Sequence, residues 1–298
     1  MRVLRADALL MLVAIIWGAG FVIQRTAMEA VGPITFTGVR LLIGMISMLP
    51  LLPLARRLAP RNPRPVRRAH LLLGLVGAGL AMTAGAVLQQ AGLVYTTAGI
   101  AGFITGLYVV FVPLIGLFIG YFVRWTTWAA VLVATGGLYL LSVQGRPTIN
   151  PGDALVLAGA AAWAGQFLIL GWLAVRVDPV RIAIFQTALA GGLTMCAALV
   201  WEQPSWLAIV SLWPEFLYSG VLAVGAAFLI QIIAQQDAPP AHAAVLLAME
   251  AVFGALAGWA FLAEALSPLQ LSGCLLMFIG IVFAQLRPPK PLEASAAS

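Results

Sequence analysis

A few polar and aromatic side chains stand out because nearly everything around them is apolar. Trp17 and Trp163 each fall near the middle of a long hydrophobic run, about 15 Å from either end on the rise of ~1.5 Å per residue. Gln89 and Gln231, Tyr108, and Arg40 and Glu250 lie in runs of the same kind, and Tyr95 lies just before one. Indole rings supply flat walls that stack on apolar or aromatic molecules. Glutamine amides, and the hydroxyls of Tyr95, Tyr108, Thr97 and Thr105, donate or accept hydrogen bonds without the desolvation cost of an ion. An ionised Glu250 in such a run costs at least ~2.5 kcal/mol, so it needs an arginine, a proton or a substrate ammonium. Arg40 is the natural partner for it, or a ligand for a substrate carboxylate. His242, with an ordinary pKa of ~6.5, could shuttle protons or simply sit at an interface. Each residue also has a plainer role: core packing for the tryptophans, helix-to-helix hydrogen bonds for the glutamines, a structural ion pair for Glu250. Gln24, Gln166 and Gln186 are weaker candidates of the same type. The chemistry is that of recognising a small molecule, not of making or breaking bonds.

The elements that must hold these residues follow from composition. Of 298 residues, 62% are apolar and 9% charged, too few charges to solvate the surface of a soluble fold. Apolar spans lie near residues 8–29, 34–55, 70–91, 97–122, 125–145, 153–175, 179–201, 213–236, 241–263 and 268–286. About 20 apolar residues match a hydrocarbon core of about 30 Å. The expected fold is therefore an all-α membrane protein with ten transmembrane helices. Arg2 and Arg5 before the first run resemble the start of a cleavable signal, but the run continues past Gly18, Ala19 and Gly20, and a retained first helix is expected. Cys196 and Cys274 fall inside helices, which suggests neither a zinc site nor a disulfide. Asp7, Asp153, Asp178 and Asp237 sit at helix ends, Ser219 has no evident base, and there is neither an HExxH nor a GxxxxGK motif. Those features argue against intramembrane proteolysis and rule out ATP hydrolysis by this chain as the drive for transport, no cofactor or metal is expected, and no charge ring or filter points to a channel.

Charge placement sets the orientation. Arg56, Arg57, Arg61, Arg64, Arg67 and Arg68 crowd the connection between the second and third spans. With ten crossings that loop shares a side with Arg2, Arg5, Arg124, Arg176, Arg181, Arg287 and Lys290, whereas Arg146, Glu202, Glu215 and Glu264 fall opposite. By the positive-inside rule both termini are cytoplasmic. The formal charge of +6 thus reflects topology and not nucleic-acid binding.

The chain also reads as one unit written twice. A shift of 146 positions carries Asp7, Ala8, Leu9 onto Asp153, Ala154, Leu155, then Trp17 onto Trp163, Phe21 onto Phe167 and Pro33 onto Pro179. Later in each half a shift of 142 carries Gln89 onto Gln231, Phe111 onto Phe253 and Gly116 onto Gly258. Five helices is an odd number, so the second repeat (147–298) must enter the membrane from the opposite side to the first (1–146). Inverted repeats are the architecture of secondary transporters, which rock about a site near the bilayer midplane. Small residues at spacings of four, Gly102 and Gly106 matching Ala244 and Ala248, with Gly116, Gly254 and Gly258 beyond, predict that helices four and nine form the seam between halves.

The segments Ala14 to Gly18, Phe36 to Arg40, Glu250 to Phe253 and Ala263 to Ala265 resemble the EamA domains of the drug/metabolite transporter superfamily. The stretch from Gln89 through Thr96 to Gly99, and on from Gly102 to Tyr108 and Pro113, is similar to its amino-acid exporter branch. One departure limits the likeness: Glu250 and Glu264 have Tyr108 and Phe122 as their counterparts, so any family role for a carboxylate belongs to the second half alone. The resemblance implies export of small metabolites, above all neutral or apolar amino acids, across a bacterial-type inner membrane. A multidrug or cationic-compound exporter using Glu250 as counter-charge is the other reading. The partners expected are a small-molecule substrate and membrane lipid, with no nucleic acid and the chain acting as a monomer.

Overall fold

The computed structural model describes residues 2–28, 30–60, 63–96, 98–121, 123–142, 151–262 and 267–285. Among them there is no strand, and eight helices are long and apolar enough to cross a membrane, with two shorter apolar helices besides. In chain order they are α1 (Arg2–Ala27), α2 (Pro33–Met48), α3 (Arg68–Leu93), α4 (Ile100–Phe118), α5 (Trp125–Ser142), α6 (Pro151–Ala174), α7 (Pro179–Trp201), α8 (Trp213–Ala234), α9 (Pro240–Ala257) and α10 (Pro268–Gln285). Prolines at the first turn open α2, α6, α7, α9 and α10, where the missing N–H costs nothing. Beyond α2 the chain continues as a 3₁₀ turn, Leu49–Leu54, and a short helix, Ala55–Leu58, with Leu49, Leu52 and Leu54 exposed beside Arg56 and Arg57.

Packing follows the repeat. The most extensive interfaces are α5 with α10, α3 with α6, and α2 with α7, each joining one half to the other. The pairs α1 with α9 and α4 with α6 are counterparts when the halves are exchanged, as are α2 with α8 and α3 with α7. The expected seam between α4 and α9 is present but is the lesser one. Gly106 instead faces Leu138 of α5, Gly116 lies under Tyr121 and Leu168, Gly102 has only the edge of Phe21 near it, and Gly254 meets the backbone of Gly18 in α1. Ala244 and Ala248 are fully buried. Gly258 lies on a helix whose surroundings at that point, like Thr97, Phe122, Arg146 and Glu264, fall outside the described residues.

Two helices are interrupted at mated positions. The helix of α4 stops at Gly106 and restarts at Tyr108, and that of α9 stops at Leu247 and restarts at Glu250. Tight bonds mark both breaks, Leu107 N–H to the Ile104 carbonyl at 3.1 Å and Met249 N–H to the Leu246 carbonyl at 3.2 Å. Pro113 adds a missing donor in α4. In α9 the backbone of Gly18 comes so close that a Cβ there would stand 2.6 Å from the Glu250 carbonyl oxygen. A third irregularity is the π-helical stretch Leu217–Ala226 within α8.

The end of the bundle that carries Asp7 is packed solid. Leu10, Val13 and Ala14 of α1, Val109 and Val112 of α4, and the run Ala243–Met249 of α9 are essentially inaccessible. Buried among them, His242 Nε2 and Asp7 Oδ1 stand 2.7 Å apart.

Candidate functional site

Next to this plug, on the side away from Asp7, the helices separate around a cavity with about 590 Å³ of empty space, its mouth included. Helices α1, α2, α3, α4, α6, α8 and α9 all contribute to its wall. Both helix breaks deliver a side chain to it, Tyr108 from α4 and Glu250 from α9, so the turns that interrupt those helices place mated residues in one space. Interrupted helices that meet near mid-bundle are a recurrent way to build a transporter site.

One wall is aromatic. Phe228 stands between the two mated tryptophans, its ring centroid 5.0 Å from Trp17 and 5.8 Å from Trp163. The indoles are fixed by hydrogen bonds: Trp17 donates to the Ala223 carbonyl and Trp163 to Oε1 of Gln89, both at 2.8 Å. Tyr108 packs on Phe167 at 4.8 Å. These contacts hold the rings in place before any ligand arrives, which lowers the ordering cost of binding.

The polar part of the wall is unusual for what it does not do. Gln24 Oε1, Arg40 Nε, Thr105 Oγ1, the Tyr108 hydroxyl and Glu250 Oε1 are buried and make no geometric hydrogen bond among the described residues, and all five residues line this cavity. Arg40 lies over the Phe36 ring at 5.6 Å. Among the described residues no ion pair joins Arg40 to Glu250; the expected structural pairing of the two is not made. The Tyr108 hydroxyl stands beside the Glu250 carboxyl, close enough to act on it as a weak donor, but neither the hydroxyl nor Oε1 of Glu250 makes a hydrogen bond of ordinary geometry among the described residues. A buried cation and a buried acid therefore face one space without satisfying each other, an expensive arrangement unless a third party meets both.

Of the residues singled out in the sequence, Trp17, Trp163, Gln89, Tyr108, Arg40, Glu250, Gln24 and Thr105 line the cavity. Tyr95 does not: it is 65% exposed, past the end of α3, because the helix that would have carried it inward ends at Leu93. Gln231 is fully buried off the wall, with neither amide atom bonded. His242 is taken up by Asp7 in the plug and does not reach the cavity. Gln166 and Gln186 bond to each other at 3.2 Å between α6 and α7. Trp125, Trp201, Trp206 and Trp213 are all exposed near helix ends, as headgroup-level tryptophans are. Sequence reasoning missed Phe228: the 142 shift pairs it with Ala86, an unlike residue, so the repeat gave no signal there although both line the wall.

Comparison with known proteins agrees with this architecture. The EamA-like transporter family matches residues 4–143 and again residues 150–285. An uncharacterized transporter of Archaeoglobus fulgidus is 29% identical over 297 residues, covering 95% of this chain and 87% of the relative. The uncharacterized transporter YwfM of Bacillus subtilis is 25% identical over 296 residues, covering 96% of each. A crystal structure superposes with a TM-score of 0.78 at 21% identity, over 97% of this chain and 98% of that one, which speaks to the fold. With its model matched in both halves, the chain belongs to the EamA-like transporter family, as a multi-pass membrane protein.

Proposed function

We propose that this protein is a secondary transporter of small zwitterionic metabolites, most of all amino acids with neutral apolar or aromatic side chains, and that it exports them across a bacterial-type inner membrane by alternating access. In this reading all ten helices cross the bilayer, in inverted repeats of residues 1–146 and 147–298, with both termini cytoplasmic. One observation carries the choice of substrate: Arg40 and Glu250 line the same cavity and no ion pair joins them. A free amino acid offers a carboxylate to the first and an ammonium to the second, and so repays the burial of both charges. The aromatic wall of Trp17, Phe228 and Trp163 suits an apolar side chain.

Counterflow of radiolabelled L-leucine and L-phenylalanine in proteoliposomes, with tetraphenylphosphonium as a competing cation, tests this. The expected result is exchange of the amino acids, weak competition by the cation, and at least a tenfold loss in both Arg40→Gln and Glu250→Gln. Transport of tetraphenylphosphonium that needs Glu250 but not Arg40, with no amino-acid exchange, would replace this reading with that of a cationic-compound exporter.

A further inference from the structure

The two mated tryptophans make unlike bonds. Trp163 gives its indole N–H to Gln89, across the interface of α3 and α6. Trp17 gives its own to a backbone carbonyl, that of Ala223 in the π-helical stretch of α8. The mate of Gln89 is Gln231, one span segment further along the same α8, and it is fully buried with both amide atoms unbonded. A buried amide without a partner is destabilising. The sequence is thus symmetric at this place and the bonding is not: one indole holds its glutamine, the other does not. Exchanging the roles of the halves gives a second arrangement with the same kinds of contact, and a carrier needs two such arrangements of comparable energy.

We infer that in the opposite-facing form of the site Trp17 leaves the Ala223 carbonyl for Oε1 of Gln231, and that Gln231, Gln186 and Leu247 become wall residues where Gln89, Arg40 and Thr105 are now. Each of the three is the repeat mate of the residue it replaces, and each is now completely buried. Gln186 keeps Nε2 unbonded as well, so the closed half stores polar groups that only an opened cavity would satisfy. The inference rests on the carrier reading above and adds the identity of the second wall. One chemical consequence follows: an amide stands in the opposite-facing wall where a guanidinium stands in this one, so a carboxylate is held less firmly on the side of the N-terminus.

The test uses full-length protein with Cys196→Ala and Cys274→Ala, in vesicles of known orientation, carrying Gln89→Cys, Gln231→Cys or Leu247→Cys singly. A charged, membrane-impermeant maleimide is added from one side at a time. Gln89→Cys is expected to label from the side opposite the N-terminus, and Gln231→Cys and Leu247→Cys at least tenfold faster from the N-terminal side. Leu247→Cys exchanges one apolar side chain for another and keeps the test valid if loss of the Gln231 amide prevents folding. Labelling of Leu247→Cys only after denaturation, or from the same side as Gln89→Cys, would overturn the inference. L-leucine counterflow in the same vesicles separates the two ways of failing. Exchange with a silent Leu247→Cys defeats the second wall alone, whereas no exchange and no N-terminal-side labelling defeats the carrier reading with it.

Discussion

Gln89 and Trp163 depend on each other, because the 2.8 Å bond between them is the glutamine oxygen's protein partner and the indole's anchor. Gln89→Leu leaves a half-buried N–H without an acceptor, and a loss of ~1–3 kcal/mol is expected, read as a lower Tm in detergent than for Gln231→Leu, which removes an amide that bonds nothing. The pair in the plug behaves differently. His242→Ala leaves the Asp7 carboxyl buried with no partner, and removing one member of a buried pair costs ~3–5 kcal/mol; the double variant Asp7→Leu/His242→Leu should recover a large part of it in the same melting experiment. At this scale the sequence was informative about which polar and aromatic residues line the cavity and poor on how they pair. Arg40 and Glu250 stood out because each is a charge in an apolar run, which left them open as partners or as substrate ligands; pairing depends on side-chain reach between helices, which no local pattern encodes. His242 looked solitary for the same reason: Asp7 is 235 positions away.

The helices themselves were legible, being long apolar runs bounded by prolines and charges, whereas their interruptions were not. Neither Leu107 nor Met249 is a helix breaker, and apolar residues continue on both sides of each turn, Glu250 apart. Just past the break in α9 the chain is packed against Gly18, whose missing side chain admits the Glu250 carbonyl. Gly18→Ala should push α1 from α9 and cost ~1–3 kcal/mol, with transport reduced at least as strongly as stability. Gly192→Ala is the control: nothing stands within 4 Å of its added carbon, so the better helix former should raise stability by ~0.5–1 kcal/mol. Comparison of the two Tm values checks both. Glu202 shows a further device hidden from sequence. It caps α2 from the end of α7, accepting from the N–H groups of Ile34 at 2.9 Å and Thr35 at 2.7 Å. Glu202→Ala should lower stability by ~1–2 kcal/mol, as loss of an N-cap does.

Over the whole molecule the outer surface is apolar, with Phe118 90% and Leu207 84% exposed. Such a surface belongs against lipid chains, so the protein should stay with membranes through an alkaline carbonate wash; its release into the supernatant would contradict the multi-pass architecture. The twofold writing of the chain was visible in the amino acids because several mated residues keep their types, Trp17 with Trp163 and Gln89 with Gln231 among them. Which end of the bundle is packed solid was not visible, because that is a property of one conformation and both halves carry a similar pattern. The π-helical stretch of α8 holds a last consequence. A π turn winds one more residue into the same length of axis than an α turn does, so Leu217–Ala226 carries slack. Deleting Val221 should take up that slack and leave the rest of the helix facing as before, whereas deleting Ala81 from the unbroken α3 would swing everything beyond it by about 100°. Tolerance of a lost residue, rather than of a changed one, is the mark this feature would leave.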